Sequence, residues 1–141
     1  MIKKIYIAGP LFNVHEKKYL EEIAEVLESA DFDCFLPHRD QKGIDQEELK
    51  NNEMSQETKD IIFQTDIEAL KEADLIVALV TGQDIDSGTA SEIGFMYANN
   101  KPVIAITAEE RRYRNLFTAG MFTKTVHNIQ EVLSSVEQFN S

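Results

Sequence analysis

Three runs of this sequence, Ile5–Ala8, Leu75–Val80 and Val103–Ile106, are uncharged and largely β-branched. An apolar run without polar alternation is what a strand covered on both faces requires, so these runs predict the buried strands of a parallel sheet. Between them the pattern turns helical. From Val14 to Ala30 the positions Tyr19, Ile23, Val26, Leu27 and Ala30 recur at helical spacing among Glu and Lys. Ser55 is placed to cap a helix running to about Ala73, with Ile62, Asp66, Ala69, Leu70 and Ala73 on one face. Further helices are predicted from Ser87 to Asn99, ended by Lys101-Pro102, and from Ile129 to Phe139. Asp33–Leu36, stopped by Pro37, and Lys124–His127 read as shorter strands. Residues 38–53 read as a loop with a helical turn at Glu47–Asn51, and Asn115–Met121 as a weak segment after an arginine-rich turn. Strand and helix thus alternate five times, which predicts an α/β fold: a doubly wound, five-stranded parallel sheet with helices on both faces.

Composition narrows the class of protein. At 141 residues, against roughly 100 to 200 per domain, the chain is expected to be a single domain spanning 1–141. Its 14 Lys and Arg face 25 Asp and Glu, a net charge of −11. That field repels phosphate backbones and anionic lipid, so neither nucleic acid nor membrane is an expected partner. The one basic cluster is Arg111, Arg112 and Arg114. The single cysteine, Cys34, has no intramolecular disulfide partner, and no Cys/His grouping has metal-ligand spacing, which fits a reducing, cytoplasmic setting and no metal. The start of the chain carries an apolar run too short for a signal peptide and broken by Gly9-Pro10.

In a sheet of this kind ligands bind beyond the carboxyl ends of the strands, where the strand order reverses. The segments at issue are Gly9–Asn13, Pro37–Asp40, Thr81–Glu92 and the residues from Thr107 onward. Asp66 falls on the otherwise apolar stripe of its helix. An unpaired carboxylate there costs several kcal/mol to bury, so it either sits at the stripe's edge in water or has a hydrogen-bond partner. Residues 86–92, Asp-Ser-Gly-Thr-Ala-Ser-Glu, follow the central strand. Gly88 lets a ligand approach a helix N-terminus whose free N–H groups favour an anion or a sugar hydroxyl. Glu92 has two readings: the reciprocal cap of a Thr89-x-x-Glu92 box, or a functional carboxylate facing the crevice. Asp66, Asp86 and Glu92 can all reach one crevice, and crowded carboxylates in unlike surroundings divide acid and nucleophile roles, which points to glycosyl chemistry. Tyr6 is either plain core or, turned to the crevice, an orienting hydroxyl. Gly9-Pro10-Leu11-Phe12 lacks the pattern of a phosphate or dinucleotide loop and offers an apolar shelf for a flat base. His15, His38 and His127 read as surface histidines, and Glu21, Glu22, Glu25 and Glu28 as a solvated helix face.

Tyr6-Ile-Ala-Gly-Pro, Asp66 and Asp86-Ser-Gly-Thr-Ala-Ser-Glu92-Ile-Gly, in that order and spacing, resemble the nucleoside 2-deoxyribosyltransferase family. The resemblance implies a flavodoxin-like doubly wound fold and exchange of the base of a 2′-deoxyribonucleoside for a free nucleobase, through a covalent deoxyribosyl intermediate and without a cofactor. It makes Glu92 the nucleophile, Tyr6 the residue that holds that carboxylate, and Asp66 the proton donor to the departing base. It places the sugar's 5′-hydroxyl at Asp86 and implies a homo-oligomer, a dimer-based tetramer or hexamer, in which Asn115 completes a neighbouring site. A related branch, the 2′-deoxynucleoside 5′-phosphate N-hydrolases, shares Tyr6, Asp66 and Glu92 but passes the sugar to water. An aspartate at position 86 repels a phosphate, which favours the unphosphorylated nucleoside. A non-catalytic flavodoxin-like nucleotide-binding module is the remaining alternative; Leu11-Phe12-Asn13 is not the phosphate loop that a flavodoxin carries.

Overall fold

The computed structural model describes residues 1–41, 43–44, 53–82, 84–108 and 115–141. Its elements are β1 (Lys4–Ala8), α1 (Val14–Ser29), β2 (Asp33–Phe35), α2 (Pro37–Asp40), α3 (Gln56–Glu72), β3 (Leu75–Leu79), α4 (Ser87–Ala98), β4 (Val103–Ile106), α5 (Leu116–Ala119), β5 (Lys124–Val126) and α6 (Ile129–Phe139). The five strands form one parallel sheet in the order β2-β1-β3-β4-β5. The expected doubly wound α/β architecture is therefore present. Every residue of β3 and β4 is buried, as their unbroken apolar runs require, whereas the edge strands β2 and β5 have three residues each and keep exposed positions.

Alternation along the strands separates two cores. Ile5, Ile7, Leu75, Val77 and Leu79 pack with Leu20, Ile23 and Leu27 of α1 and with Val132 and Val136 of α6. On the opposite face Tyr6, Ala8, Ile76, Ala78 and Ala105 pack with Leu70 of α3 and with Ile93 and Met96 of α4. The strand order reverses between β1 and β3. The connection through α3 returns across β1, and that reversal opens the crevice between α3 and α4.

Helix starts follow local chemistry. Asn13, Ser55, Asp86 and Asn128 cap α1, α3, α4 and α6 by accepting from backbone N–H groups. Ala30, Ala73 and Asn99, read as helical in the sequence, take the C-cap positions, so each helix ends one residue earlier. Likewise Leu36, Val80 and His127 lie just outside their strands.

Two expectations need correcting. Residues 37–40 form the short helix α2 within the stretch expected to be loop. Pro37 presets its first turn, and Asp40 Oδ2 accepts from the Leu36 N–H at 2.9 Å. The segment after Asn115 is also a short helix, α5, capped by Asn115 itself. The helical turn expected at Glu47–Asn51 and the cluster Arg111, Arg112 and Arg114 lie outside the described residues. Among the described residues no helix is long and apolar enough to cross a membrane.

Candidate active site

Each wall of the crevice comes from a segment that follows or precedes a strand end. The β1–α1 loop contributes Gly9, Leu11 and Phe12; α3 contributes Phe63, Asp66, Ile67 and Leu70; the start of α4 contributes Asp86, Gly88, Ser91, Glu92 and Phe95. The hollow measures about 510 Å³, within the range of small-molecule sites. Its walls are largely apolar, with three carboxyl groups as the charged exceptions among the described residues. Gly9 is required by close packing: a Cβ there would lie 2.8 Å from Leu20 Cδ2 and 3.0 Å from Leu79 Cβ. The chain can therefore turn out of β1 directly onto the cavity floor.

Glu92 sits one turn into α4. The capping-box alternative does not hold, because Asp86 caps the helix in its place. Asp86 Oδ2 accepts from the Thr89 N–H at 3.1 Å and from Thr89 Oγ1 at 2.9 Å. Glu92 is left to face the cavity, where its Oε2 accepts a hydrogen bond from the Tyr6 hydroxyl. Tyr6 is a fully buried core residue whose hydroxyl nonetheless reaches Glu92. Its ring stacks on Phe35 at 5.5 Å between centroids and 27° between planes. Burial pushes the Glu92 carboxyl up to about 7; the Tyr6 hydrogen bond opposes that push, and the charges of Asp66 and Asp86 add to it. Burial, then the nearby charges of Glu92 and Asp66, hold the Tyr6 phenol well above its ordinary value, so it remains a donor.

Asp66 lies on the cavity side of α3, in register with Phe63, Ile67 and Leu70 at spacings of three and four. Desolvation pushes its carboxyl up to about 6, against the hydrogen bond it accepts from Gln41 Nε2 at 2.7 Å. Gln41 is the partner that a carboxylate on an apolar stripe demands, and sequence reasoning missed it. The signal was its position in the connection after β2, one residue past the stretch singled out. Gln41 Oε1 is buried with no hydrogen-bond partner among the described residues.

A polar network secures the turn that delivers Gln41. Arg39 binds both carboxylate oxygens of Glu28 at 2.9 and 3.0 Å, both of Asp40 at 2.8 and 2.9 Å, and the Cys34 carbonyl at 3.2 Å. His38 Nε2 lies 2.9 Å from Glu21 Oε1. The glutamate face of α1 is exposed, as expected, yet two of its members tether α2. His38 departs from the surface reading, since its side chain is only 14% exposed.

Tyr6, Asp66, Asp86 and Glu92 thus converge, with Gly9, Phe12 and Gly88 at the same cavity. Asn115 is not among the lining residues. It is exposed, and its Oδ1 accepts from the N–H groups of Phe117 and Thr118 at 3.0 and 3.1 Å. Phe63, Ile67, Leu70 and Phe95 are further lining residues that sequence reasoning left out; the first three share the helical spacing of Asp66. Among the described residues no three His, Cys, Asp or Glu side chains are grouped to hold a metal.

A pair of carboxyl groups with raised affinities for protons, one gripped by a phenol and one by an amide, can divide nucleophile and acid roles. Comparison with known proteins bears on which chemistry this is. The sequence model of the nucleoside 2-deoxyribosyltransferase family matches residues 5–139. A conserved protein from Enterococcus faecalis V583 is similar in structure, with a TM-score of 0.79 and 27% identity over 98% of this chain and 99% of that one. So is the 2-deoxyribosyltransferase of the psychrotolerant bacterium Bacillus psychrosaccharolyticus, with a TM-score of 0.77 and 27% identity over 92% and 89% of the two chains. A Clostridium botulinum CMP N-glycosidase shares the fold at a TM-score of 0.62 and 22% identity, over 96% of this chain and 99% of its own. No curated protein matches the chain in sequence.

Proposed function

The chain belongs to the nucleoside 2-deoxyribosyltransferase family, and from that premise we propose that it moves the 2-deoxyribosyl group between nucleobases of 2′-deoxyribonucleosides through a covalent intermediate on Glu92. The observation that carries this reading is the Tyr6–Glu92 hydrogen bond at the wall of a cavity that also presents Asp66. In the first step an oxygen of ionised Glu92 bonds to C1′, and the N-glycosidic bond breaks with its electron pair going to the base. Protonated Asp66 gives its proton to the departing base. In the second step a nitrogen of the incoming base bonds to C1′, Glu92 leaves as carboxylate, and Asp66 takes up a proton. Two displacements retain configuration, as exchange between β-nucleosides requires.

The surroundings support these roles. Desolvation keeps Asp66 protonated further toward neutral pH than a solvated aspartate, as a proton donor needs. Phe12, Leu11 and Phe63 provide apolar surface for a flat base. At the sugar end Asp86 keeps Oδ2 in the helix cap, which leaves Oδ1 for the 5′-hydroxyl. The Asp86 carboxylate there disfavours a 5′-phosphate, by about 4 kcal/mol per unit-charge pair at 4 Å near a protein surface. Leu116 and Phe117, 75% and 81% exposed beside Asn115, suit burial against a second copy of the chain.

The test incubates the protein with 2′-deoxyinosine plus adenine, and separately with a 2′-deoxynucleoside 5′-monophosphate, and scores new nucleoside and free base by chromatography. Deoxyadenosine in the first reaction is the expected result. Free base from the monophosphate with no exchange in the first reaction would replace the transferase reading with an N-hydrolase.

A further inference from the structure

We propose that Phe35 is a positioning residue for the nucleophile: its ring, stacked against Tyr6, fixes the phenol that holds the Glu92 carboxylate. The inference rests on Glu92 being the nucleophile. Phe35 does not line the active-site cavity, and its ring contact is with Tyr6, so its effect on the site runs through Tyr6.

In the parallel sheet Tyr6 of β1 stands opposite Phe35 of β2 and Ile76 of β3, and all three side chains are on the α3–α4 face. Ile76 is fully buried, and it bounds one side of the tyrosine within the centre of the sheet. On the other side stands Phe35, on an edge strand only three residues long. Beyond it lies a second hollow of about 590 Å³, walled by Phe35, Cys34, Thr65 and Ala69. Phe35 is thus the side chain that separates the Tyr6 ring from open space. Take away its flat face and the tyrosine can tilt toward that hollow, carrying its hydroxyl away from Glu92 Oε2.

A shift of about 1 Å in a catalytic group can cost on the order of 100-fold in rate. Losing the bond also has a signature that loss of packing lacks. Among the described residues the groups facing Glu92 are Tyr6 from β1, Asp66 from α3 and Asp86 before α4, and of these Tyr6 alone favours the ionised form. With Tyr6 displaced, the two carboxylates and burial remain, and Glu92 ionises at higher pH.

The experiment compares Phe35→Leu, Phe35→Tyr, Tyr6→Phe, the Tyr6→Phe/Phe35→Leu double variant and Glu92→Ala, following release of base or new nucleoside across pH. Phe35→Leu should lower kcat about 10-fold with KM nearly unchanged, and move upward the limb of the kcat/KM pH profile whose position follows Glu92, as Tyr6→Phe does. Phe35→Tyr, which keeps the ring, should stay within about twofold of the parent, and the double variant should match Tyr6→Phe because both changes act through one hydroxyl. Phe35→Met is the parallel variant if Phe35→Leu does not fold. A normal rate and an unmoved limb in the Leu or Met variant, or losses that multiply in the double variant, would overturn the positioning role. If those results came with an inactive Glu92→Ala, the nucleophile reading would stand without it. An active Glu92→Ala would remove that reading and this proposal together.

Discussion

Replacing Glu92 with glutamine should make the protein more stable at pH 8 while ending its activity. In the unfolded chain the carboxyl takes its ordinary value of 4.5, and in the folded protein burial holds it at about 7. The folded state therefore grips this proton more tightly than the unfolded state. Below pH 4.5 both states carry the proton and Glu92 imposes no penalty. As the pH rises through about 7 the folded protein must ionise a buried group, and stability falls by an amount that levels off at about 3 kcal/mol. Glutamine keeps the size of the side chain and its Oε1 still accepts from Tyr6, but it never ionises. The expected gain at pH 8 is thus about 3 kcal/mol, or roughly 10 °C in Tm for a chain of this size. Thermal and urea unfolding of parent and variant at pH 4 and pH 8, at one ionic strength, measures it. A variant no more stable than the parent at pH 8, or a gap that is the same at pH 4, would refute the argument that burial of an ionised carboxylate is a cost of this site.

Asp66→Asn should lower kcat by about 100-fold or more with a smaller change in KM, and should abolish the alkaline limb of the pH profile, which in the parent reports loss of the Asp66 proton; an unchanged limb would assign the acid to another group. Gln41→Ala removes the hydrogen bond that opposes desolvation of Asp66, so the limb of the pH profile whose position follows Asp66 should move to higher pH; movement to lower pH would contradict the geometry. Gly9→Ala forces a methyl group against Leu20 and Leu79 and should cost about 1 to 3 kcal/mol in urea unfolding; an unaffected midpoint would show that the neighbours yield freely. Asn115→Ala should reduce activity, and mixing it with Glu92→Ala should restore part of it in hybrid oligomers; no recovery would argue against a shared site.

The five strands and the four long helices were legible in the sequence because their signals are local, whereas the four-residue helices α2 and α5 were not. The runs Ile5–Ala8 of β1, Leu75–Leu79 of β3 and Val103–Ile106 of β4 contain no charged residue to face water, so burial on both faces followed directly. Ser55 announced α3 in the same way. Asp66 was legible as an anomaly: a carboxylate among Ile62, Ala69 and Leu70 needs an explanation in any fold that buries that stripe. What it bonds to was not legible, because Gln41 comes from a turn after another strand and the two meet only through α2, which Arg39 and His38 fasten to the glutamates of α1.

Glu92 marks the boundary most clearly. The residues Thr89 to Glu92 fit a capping box as well as they fit a catalytic carboxylate, and no local feature separates the two. Asp86 decided the matter by taking the Thr89 amide, and Tyr6, on a strand 86 residues earlier, decided where Glu92 points. Phe35 was invisible for the same reason, since its partner is a register neighbour on another strand. Local sequence determined which segments are strands and helices and which residues are out of place in them, because backbone geometry and solvent exposure act over a few residues at a time. Strand order and register decided which of those residues became neighbours, because the hydrogen bonds and desolvation that tune a carboxyl group depend on what packs against it from elsewhere in the chain.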